Sequence, residues 1–134
     1  MEGSTLPYSA LIIDDSAHMR ILLSKLLQRN GFTNVDLAVN GADGLHHFKA
    51  LNPDVVFLDA IMPEMDGLTA LQEIKKLEAQ TIVVMTTSLS EKEKVLKFKE
   101  AGADYYLLKP FEDKKLVDIL QKIVPILDQR AKKA

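Results

Sequence analysis

Five short apolar runs recur along the chain, at residues 10–13, 35–39, 55–58, 82–85 and 105–108. Most are continuously apolar and rich in Val and Ile, the pattern of strands covered on both faces of a parallel sheet. The run 35–39 alternates instead, with Asp36 inside it, and reads as a less covered edge strand. The stretches between the runs repeat their apolar residues at helical spacing. Met19, Leu22, Leu23, Leu26 and Leu27 form one stripe, Leu45, Phe48 and Leu51 a second, and Leu68, Leu71 and Ile74 a third. Leu116, Ile119, Leu120, Ile123 and Leu127 form the last, and all four are expected to be core. The segment 91–101 is the weakest helix, with Val95, Leu96 and Phe98 set among Lys92, Lys94, Lys97 and Lys99. This alternation predicts an α/β fold, a doubly wound five-stranded parallel sheet with helices on both faces, because parallel crossovers are long and right-handed.

Punctuation agrees. Asn30-Gly31 and Ala101-Gly102 end helices, and Pro53 and Pro63 open loops. Pro125 is expected to kink or shorten the last helix, and the polar, basic tail beyond Asp128 to fray. The 134 residues fit one domain, its core over residues 9–127, with a short N-terminal extension and the basic tail outside it. With 17 Lys+Arg against 19 Asp+Glu the net charge is −2, which gives no general attraction to nucleic acid or anionic membrane. No apolar run approaches the ~20 residues of a bilayer span. Cys is absent, which excludes disulfides, thiol catalysis and cysteine-ligated metal sites. The first seven residues lack the basic start and apolar stretch of a secretory signal, so a cytoplasmic protein is expected.

In open parallel sheets the chemistry collects beyond the carboxyl ends of the strands. Asp14-Asp15 follows the first run, Asp59 the third, Thr86-Thr87 the fourth and Lys109-Pro110 the fifth. The alternating edge run is followed only by Asn40-Gly41. Taken singly, each has an ordinary use: Asp14, Asp15, Ser16 and Thr87 as helix caps, Asp59 in a loop, Lys109-Pro110 in a turn. Taken together these uses fail. Carboxylates converging within ~5 Å repel by about 3 kcal/mol per pair at an effective dielectric of 20. Folding retains such a cluster only where a cation or a proton relieves it. Lys109 supplies one positive charge, and an all-oxygen donor set points to Mg²⁺ for the rest. His46 and His47 are neighbours on a helix, point to different faces and cannot clamp one metal together. Both, with His18, are expected on the solvated surface.

The stretches Leu11-Ile12-Ile13-Asp14-Asp15-Ser16, Asp59-Ala60-Ile61-Met62-Pro63-Glu64-Met65-Asp66-Gly67, Met85-Thr86-Thr87 and Ala101-Gly102-Ala103-Asp104-Tyr105-Tyr106-Leu107-Leu108-Lys109-Pro110-Phe111 occur in that order. In them the sequence resembles a response-regulator receiver domain, the phosphoacceptor module of two-component signalling, over roughly residues 9–127. The resemblance implies a flavodoxin-like sheet of strand order 2-1-3-4-5. It implies that Asp59 is the phosphoacceptor, forming an aspartyl phosphate by in-line attack. Mg²⁺ would be held by the carboxylates of Asp15 and Asp59, by Asp14 mostly through water, and by the backbone carbonyl of Ile61. Thr87 and Lys109 would each donate to a phosphoryl oxygen, and the Lys109–Pro110 peptide would be cis. Tyr106 matches an aromatic switch position, its ring turning inward as Thr87 moves toward the phosphoryl group. Ile61 and Leu89, each two residues beyond Asp59 and Thr87, would shield that group from hydrolytic water.

The implied partners are a histidine kinase or histidine phosphotransfer protein upstream and a protein target downstream, read through the fourth helix, fifth strand and fifth helix. No direct contact with nucleic acid or membrane is expected, nor enzymatic activity beyond the domain's own phosphorylation and dephosphorylation. A monomer or a phosphorylation-dependent dimer is expected. Other readings remain open. A flavodoxin-like nucleotide or flavin binder would need a Gly- or Ser/Thr-rich phosphate loop after the first strand, where Asp14-Asp15 instead repels phosphate. A small hydrolase with an aspartyl intermediate would carry its nucleophile there, with a second Asp two residues on, which Asp14-Asp15-Ser16-Ala17 lacks. A degenerate receiver used only for docking sits poorly with five intact site positions.

Overall fold

Strand and helix alternate along the chain as β1 (Leu6–Ile13), α1 (Ala17–Arg29), β2 (Phe32–Ala38), α2 (Gly41–Leu51), β3 (Val55–Asp59), α3 (Gly67–Leu77), β4 (Ile82–Thr87), α4 (Lys92–Glu100), β5 (Tyr105–Leu108) and α5 (Asp113–Lys133). The structure, a computed structural model, describes residues 5–88 and 92–133, without the side chains of residues 92 and 93. All four strand pairings are parallel, and the strand order is β2-β1-β3-β4-β5. The alternating run is indeed an edge. The sheet is doubly wound because each parallel return needs a crossover helix, and the helices divide between its two faces.

Side-chain parity sorts the core into two layers. Ala10, Ile12, Val55, Phe57, Ile82, Val84 and Leu107 face α1 and α5, where Leu23, Leu27, Leu116, Leu120 and Ile123 meet them. Leu11, Ile13, Val56, Leu58, Val83 and Met85 face the opposite way, against Phe48 of α2, Leu71 and Ile74 of α3, and Phe98 of α4. The helix ends follow local chemistry. Ser16, Asn40 and Asp66 cap α1, α2 and α3 by accepting from the N–H three residues on. Gly31 and Gly102, just past α1 and α4, both take φ +104°, where glycine alone avoids a Cβ clash.

The structure departs from the sequence expectation in four places. β1 begins at Leu6, four residues before its apolar run, because Leu6 and Ser9 pair with Phe32 and Asn34 of β2 and Tyr8 is buried. The register shift between Leu6 and Ser9 leaves the donor-less Pro7 at an irregularity. Pro125 does not shorten α5, nor does the helix stop at Asp128; it runs to Lys133. Removing one N–H is outweighed by contacts beyond the proline: Leu127 is buried, Tyr8 donates its hydroxyl to Asp128, and Arg130 Nη1 donates to the Gln80 carbonyl at 2.7 Å. Leu51 is exposed although it falls on a periodic stripe, as is Leu96.

The fourth departure is His47. Rather than lying free on the surface, its Nδ1 meets Asp36 of β2 and its Nε2 lies 3.3 Å from Asp43. Asp43 also accepts from the Val39 N–H at 3.0 Å, so the imidazole clasps α2 to the edge strand. Hydrogen bonding to Asp36 raises the His47 pKa above its ordinary value against a smaller opposing effect of burial. The protonated ring therefore stabilises the fold fully below pH ~6.5, and that contribution is lost as pH rises through the raised native pKa. His47→Gln is expected to abolish a pH dependence of at most about 1 kcal/mol on the alkaline side of 6.5. Urea unfolding of both proteins across that range checks it; an unaltered pH profile would count against the clasp.

Candidate functional site

Register decides which side chains meet. Ile13 pairs with Leu58, so the next residues on both strands, Asp14 and Asp59, emerge side by side at the carboxyl edge. Asp59 pairs in turn with Thr86, and Thr87 with Leu108, which brings Lys109 to the same edge. Parity then separates two groups. Asp14, Asp59 and Lys109 continue the alternation of Ile12, Phe57 and Leu107, whereas Thr87 and Tyr106 fall on the face of Met85 and α4.

Asp14 and Asp59 are both buried, at 3% and 5% exposure, while Asp15 lies exposed beside them. One carboxylate oxygen from each of Asp14, Asp15 and Asp59 lies within 4.8 Å of the others. It is the one such cluster of His, Cys, Asp or Glu among the described residues. Lys109 Nζ stands 3.0 Å from Asp14 Oδ2 and 3.3 Å from Asp59 Oδ1. The Lys109–Pro110 peptide is cis. Asp14 is further fixed by the Ser16 N–H at 2.9 Å, and its own carbonyl accepts from Arg20 Nη1 at 2.7 Å.

One lysine does not balance three carboxylates. Burial, and then the charge of Asp14, push the Asp59 pKa up to about 6, although Lys109 and the Ile61 N–H pull the other way. Burial works against charge on Lys109, but Asp14 and Asp59 overcome it and hold its pKa above the usual lysine value. An all-oxygen cluster with spare negative charge fits a hard divalent cation such as Mg²⁺, which tolerates few carboxylates and keeps several waters.

Thr87 is buried at the end of β4, and Lys109 N–H donates to its carbonyl at 2.8 Å. Tyr106 is half-buried, and its hydroxyl donates to the Val95 carbonyl of α4 at 2.8 Å. Burial alone raises its pKa. Ile61 is 56% exposed, with its N–H directed to Asp59 Oδ1 at 3.3 Å. Leu89 lies outside the described residues. His18 and His46 are exposed, and neither is a member of the cluster.

Two residues take part in building the site although the sequence reading gave them no role there. Arg20, one and a half turns past Asp14, anchors the loop carrying it. Gly67 donates to the Ala60 carbonyl at 3.1 Å, and a Cβ there would stand 2.5 Å from the Asp59 carbonyl oxygen. The start of α3 thus presses on the backbone of Asp59 closely enough that only glycine fits. The Asp66-Gly67 pair signalled it, since Asp66 caps α3.

A family model, that of the response regulator receiver domain, matches residues 10–121. The chain belongs to this family. Among curated receiver proteins, the chemotaxis protein CheY of Bacillus subtilis is 39% identical over 112 residues, covering 84% of this chain and 93% of that one. CheY of Halobacterium salinarum is 38% identical, over 85% of this chain and 94% of its own. A crystallised receiver, CheY4 of Vibrio cholerae, superposes with a TM-score of 0.81 at 30% identity, covering 87% of this chain and 98% of that one. The receiver domain is the conserved module of two-component response regulators, and its members bind Mg²⁺ in an acidic pocket of the kind built here by Asp14, Asp15 and Asp59. No described helix is long and apolar enough to cross a membrane.

Proposed function

We propose that this receiver domain is a phosphorylated switch, with Asp59 as its phosphoacceptor. The observation that carries this reading is a buried carboxylate held at once by a lysine and beside two further carboxylates. An Asp59 oxygen attacks the phosphorus of a phosphohistidine or small phosphodonor, the new P–O bond forms, and the bond to the leaving group breaks in line. Asp14, Asp15 and Asp59, with the Ile61 carbonyl, are the residues that would hold Mg²⁺. When bound, the ion screens the negative charge of the incoming phosphoryl group and orients its oxygens. Lys109 neutralises a phosphoryl oxygen in place of its present contact with Asp59, and the Thr87 hydroxyl donates to another. Ile61, exposed two residues beyond Asp59, limits the approach of hydrolytic water.

The switch follows from position. Phosphorylation adds charge and acceptor oxygens at Asp59, drawing Thr87 toward it on the same side of the sheet as Tyr106. The Tyr106 hydroxyl ties β5 to α4 through Val95, so inward rotation of the ring gives up that tie and alters the α4-β5-α5 surface. That surface is proposed for the downstream protein, with a histidine kinase or histidine phosphotransfer protein upstream and the cytoplasm as the place of action. Incubation with Mg²⁺ and acetyl phosphate, followed by intact mass, is expected to add one phosphoryl group to the native chain and none to Asp59→Asn. Equal labelling of the two proteins would reject the assignment.

A further inference from the structure

The Ile61 carbonyl, a proposed Mg²⁺ ligand, sits on a residue with little anchorage of its own. Its side chain is 56% exposed, and its N–H reaches Asp59 Oδ1 at a long 3.3 Å. The loop 60–66 is held by its neighbours instead. Met62 is buried in the core layer shared with α2, α3 and α4. Asp66 caps α3, and the Gly67 N–H donates to the Ala60 carbonyl at 3.1 Å. Between Met62 and Asp66 the chain turns sharply: the Met65 N–H donates to the Pro63 carbonyl at 2.9 Å, and Glu64 takes φ +70°. A residue with a Cβ keeps such a φ only where its surroundings enforce it.

The enforcing contact is made with α2. Gly41, its buried first residue, lies so near Met65 that a Cβ there would stand 2.9 Å from Met65 Cβ and Cγ and 3.0 Å from Sδ. Because the approach begins at Cβ, turning the tip of the methionine does not relieve it; the backbone of the loop has to move. The helix is not free to yield instead. Asn40 caps it, His47 ties it to Asp36 of β2, and Gly44 is buried against Ile13. We propose that Gly41 and Met65 are positioning residues of the phosphoacceptor site: the seat of Met65 on Gly41 holds loop 60–66 in the shape that presents the Ile61 carbonyl beside Asp59. The inference rests on the reading of Asp59 and Ile61 as Mg²⁺ ligands, and it adds two residues that touch neither the ion nor the phosphoryl group.

Mg²⁺ titration of the full chain, followed by amide chemical shifts and paired with urea unfolding in chelator, tests the seat. Gly41→Ala is expected to move the Ile61 and Met62 amide signals of the metal-free protein and to raise the Mg²⁺ dissociation constant about tenfold. Gly44→Ala controls for lost stability alone, since its Cβ would stand 2.5 Å from Ile13 Cδ1, the end of a side chain on the face away from Asp14. It is expected to lower the urea midpoint and leave the dissociation constant at its native value. Met65→Gly removes the seat and is expected to weaken Mg²⁺ binding by itself. Adding Gly41→Ala to it should then weaken binding no further, because both changes act through one contact. The positioning role is overturned if Gly41→Ala binds Mg²⁺ as the native chain does, if Gly44→Ala weakens binding equally, or if the Gly41→Ala effect is the same with and without Met65. Should Gly41→Ala not fold, native affinity in Met65→Gly alone overturns it. A native chain that takes up no Mg²⁺ overturns the metal reading itself, and this inference with it.

Discussion

Asp59→Asn is expected to make the metal-free protein more stable near pH 7.5, not less. Asp59 titrates near 6 in the folded chain against 3.8 as its ordinary value. The native state therefore holds this proton more tightly than the unfolded one, and the group's contribution to stability is lost as pH rises from about 4 through 6. Above that range the protein carries an ionised carboxylate that is buried and faces Asp14. Asparagine removes the charge while keeping the shape. A gain on the order of 1–3 kcal/mol follows from the size of the shift. It should shrink toward pH 5 and vanish near pH 4, where the native carboxyl is protonated. Mg²⁺ is expected to reverse the order: an ion held by the folded state at a hundred times its dissociation constant would add about 2.7 kcal/mol, and the variant would lack one of the proposed ligands. Urea unfolding in chelator and in Mg²⁺ reads both effects. A variant less stable than the native chain in chelator at pH 7.5 would contradict the electrostatic account.

Lys109→Met is expected to act in the opposite direction. Methionine keeps the stem but withdraws the charge standing 3.0 Å from Asp14 and 3.3 Å from Asp59. Leaving buried carboxylates without their cation costs about 3–5 kcal/mol where water is fully excluded. The Lys109 side chain is 20% exposed, so a loss of about 2–4 kcal/mol at pH 7.5 is expected here. Part returns below pH 6, as Asp59 takes up a proton, and part in Mg²⁺. The combination Asp59→Asn with Lys109→Met should cost clearly less than Lys109→Met alone, because the charge that suffers most is gone. Denaturant midpoints of the four proteins form the cycle; strict additivity would show that Lys109 and Asp59 do not interact.

Much of this site was legible because it lies at strand ends. The apolar runs locate β3, β4 and β5 to within two residues, and the residue after each run gives Asp59, Thr87 within its Thr pair, and Lys109. Chain order does not state which strands are neighbours; the order β2-β1-β3-β4-β5 came from resemblance rather than periodicity. What escaped the sequence depends on partners far along the chain. The early start of β1 needs β2 beside it, and the continuation of α5 past Pro125 needs Tyr8 and Gln80. The His47 clasp needs Asp36, eleven residues away on another element. Leu51 and Leu96 show the limit of periodicity: it gives the direction of an apolar stripe but not how much of it a neighbour covers.

The acidic cluster at the edge of β1 and β3 has a function only if the phosphoryl group arrives on one named oxygen-bearing side chain. Borohydride reduction of the protein after Mg²⁺ and acetyl phosphate, followed by peptide sequencing in the mass spectrometer, reads that side chain directly, since an aspartyl phosphate is reduced to homoserine. Homoserine at position 59 alone, and only when Mg²⁺ is present, is the predicted result. Homoserine at position 14 or 15, or at 59 to the same extent in chelator, would contradict the account.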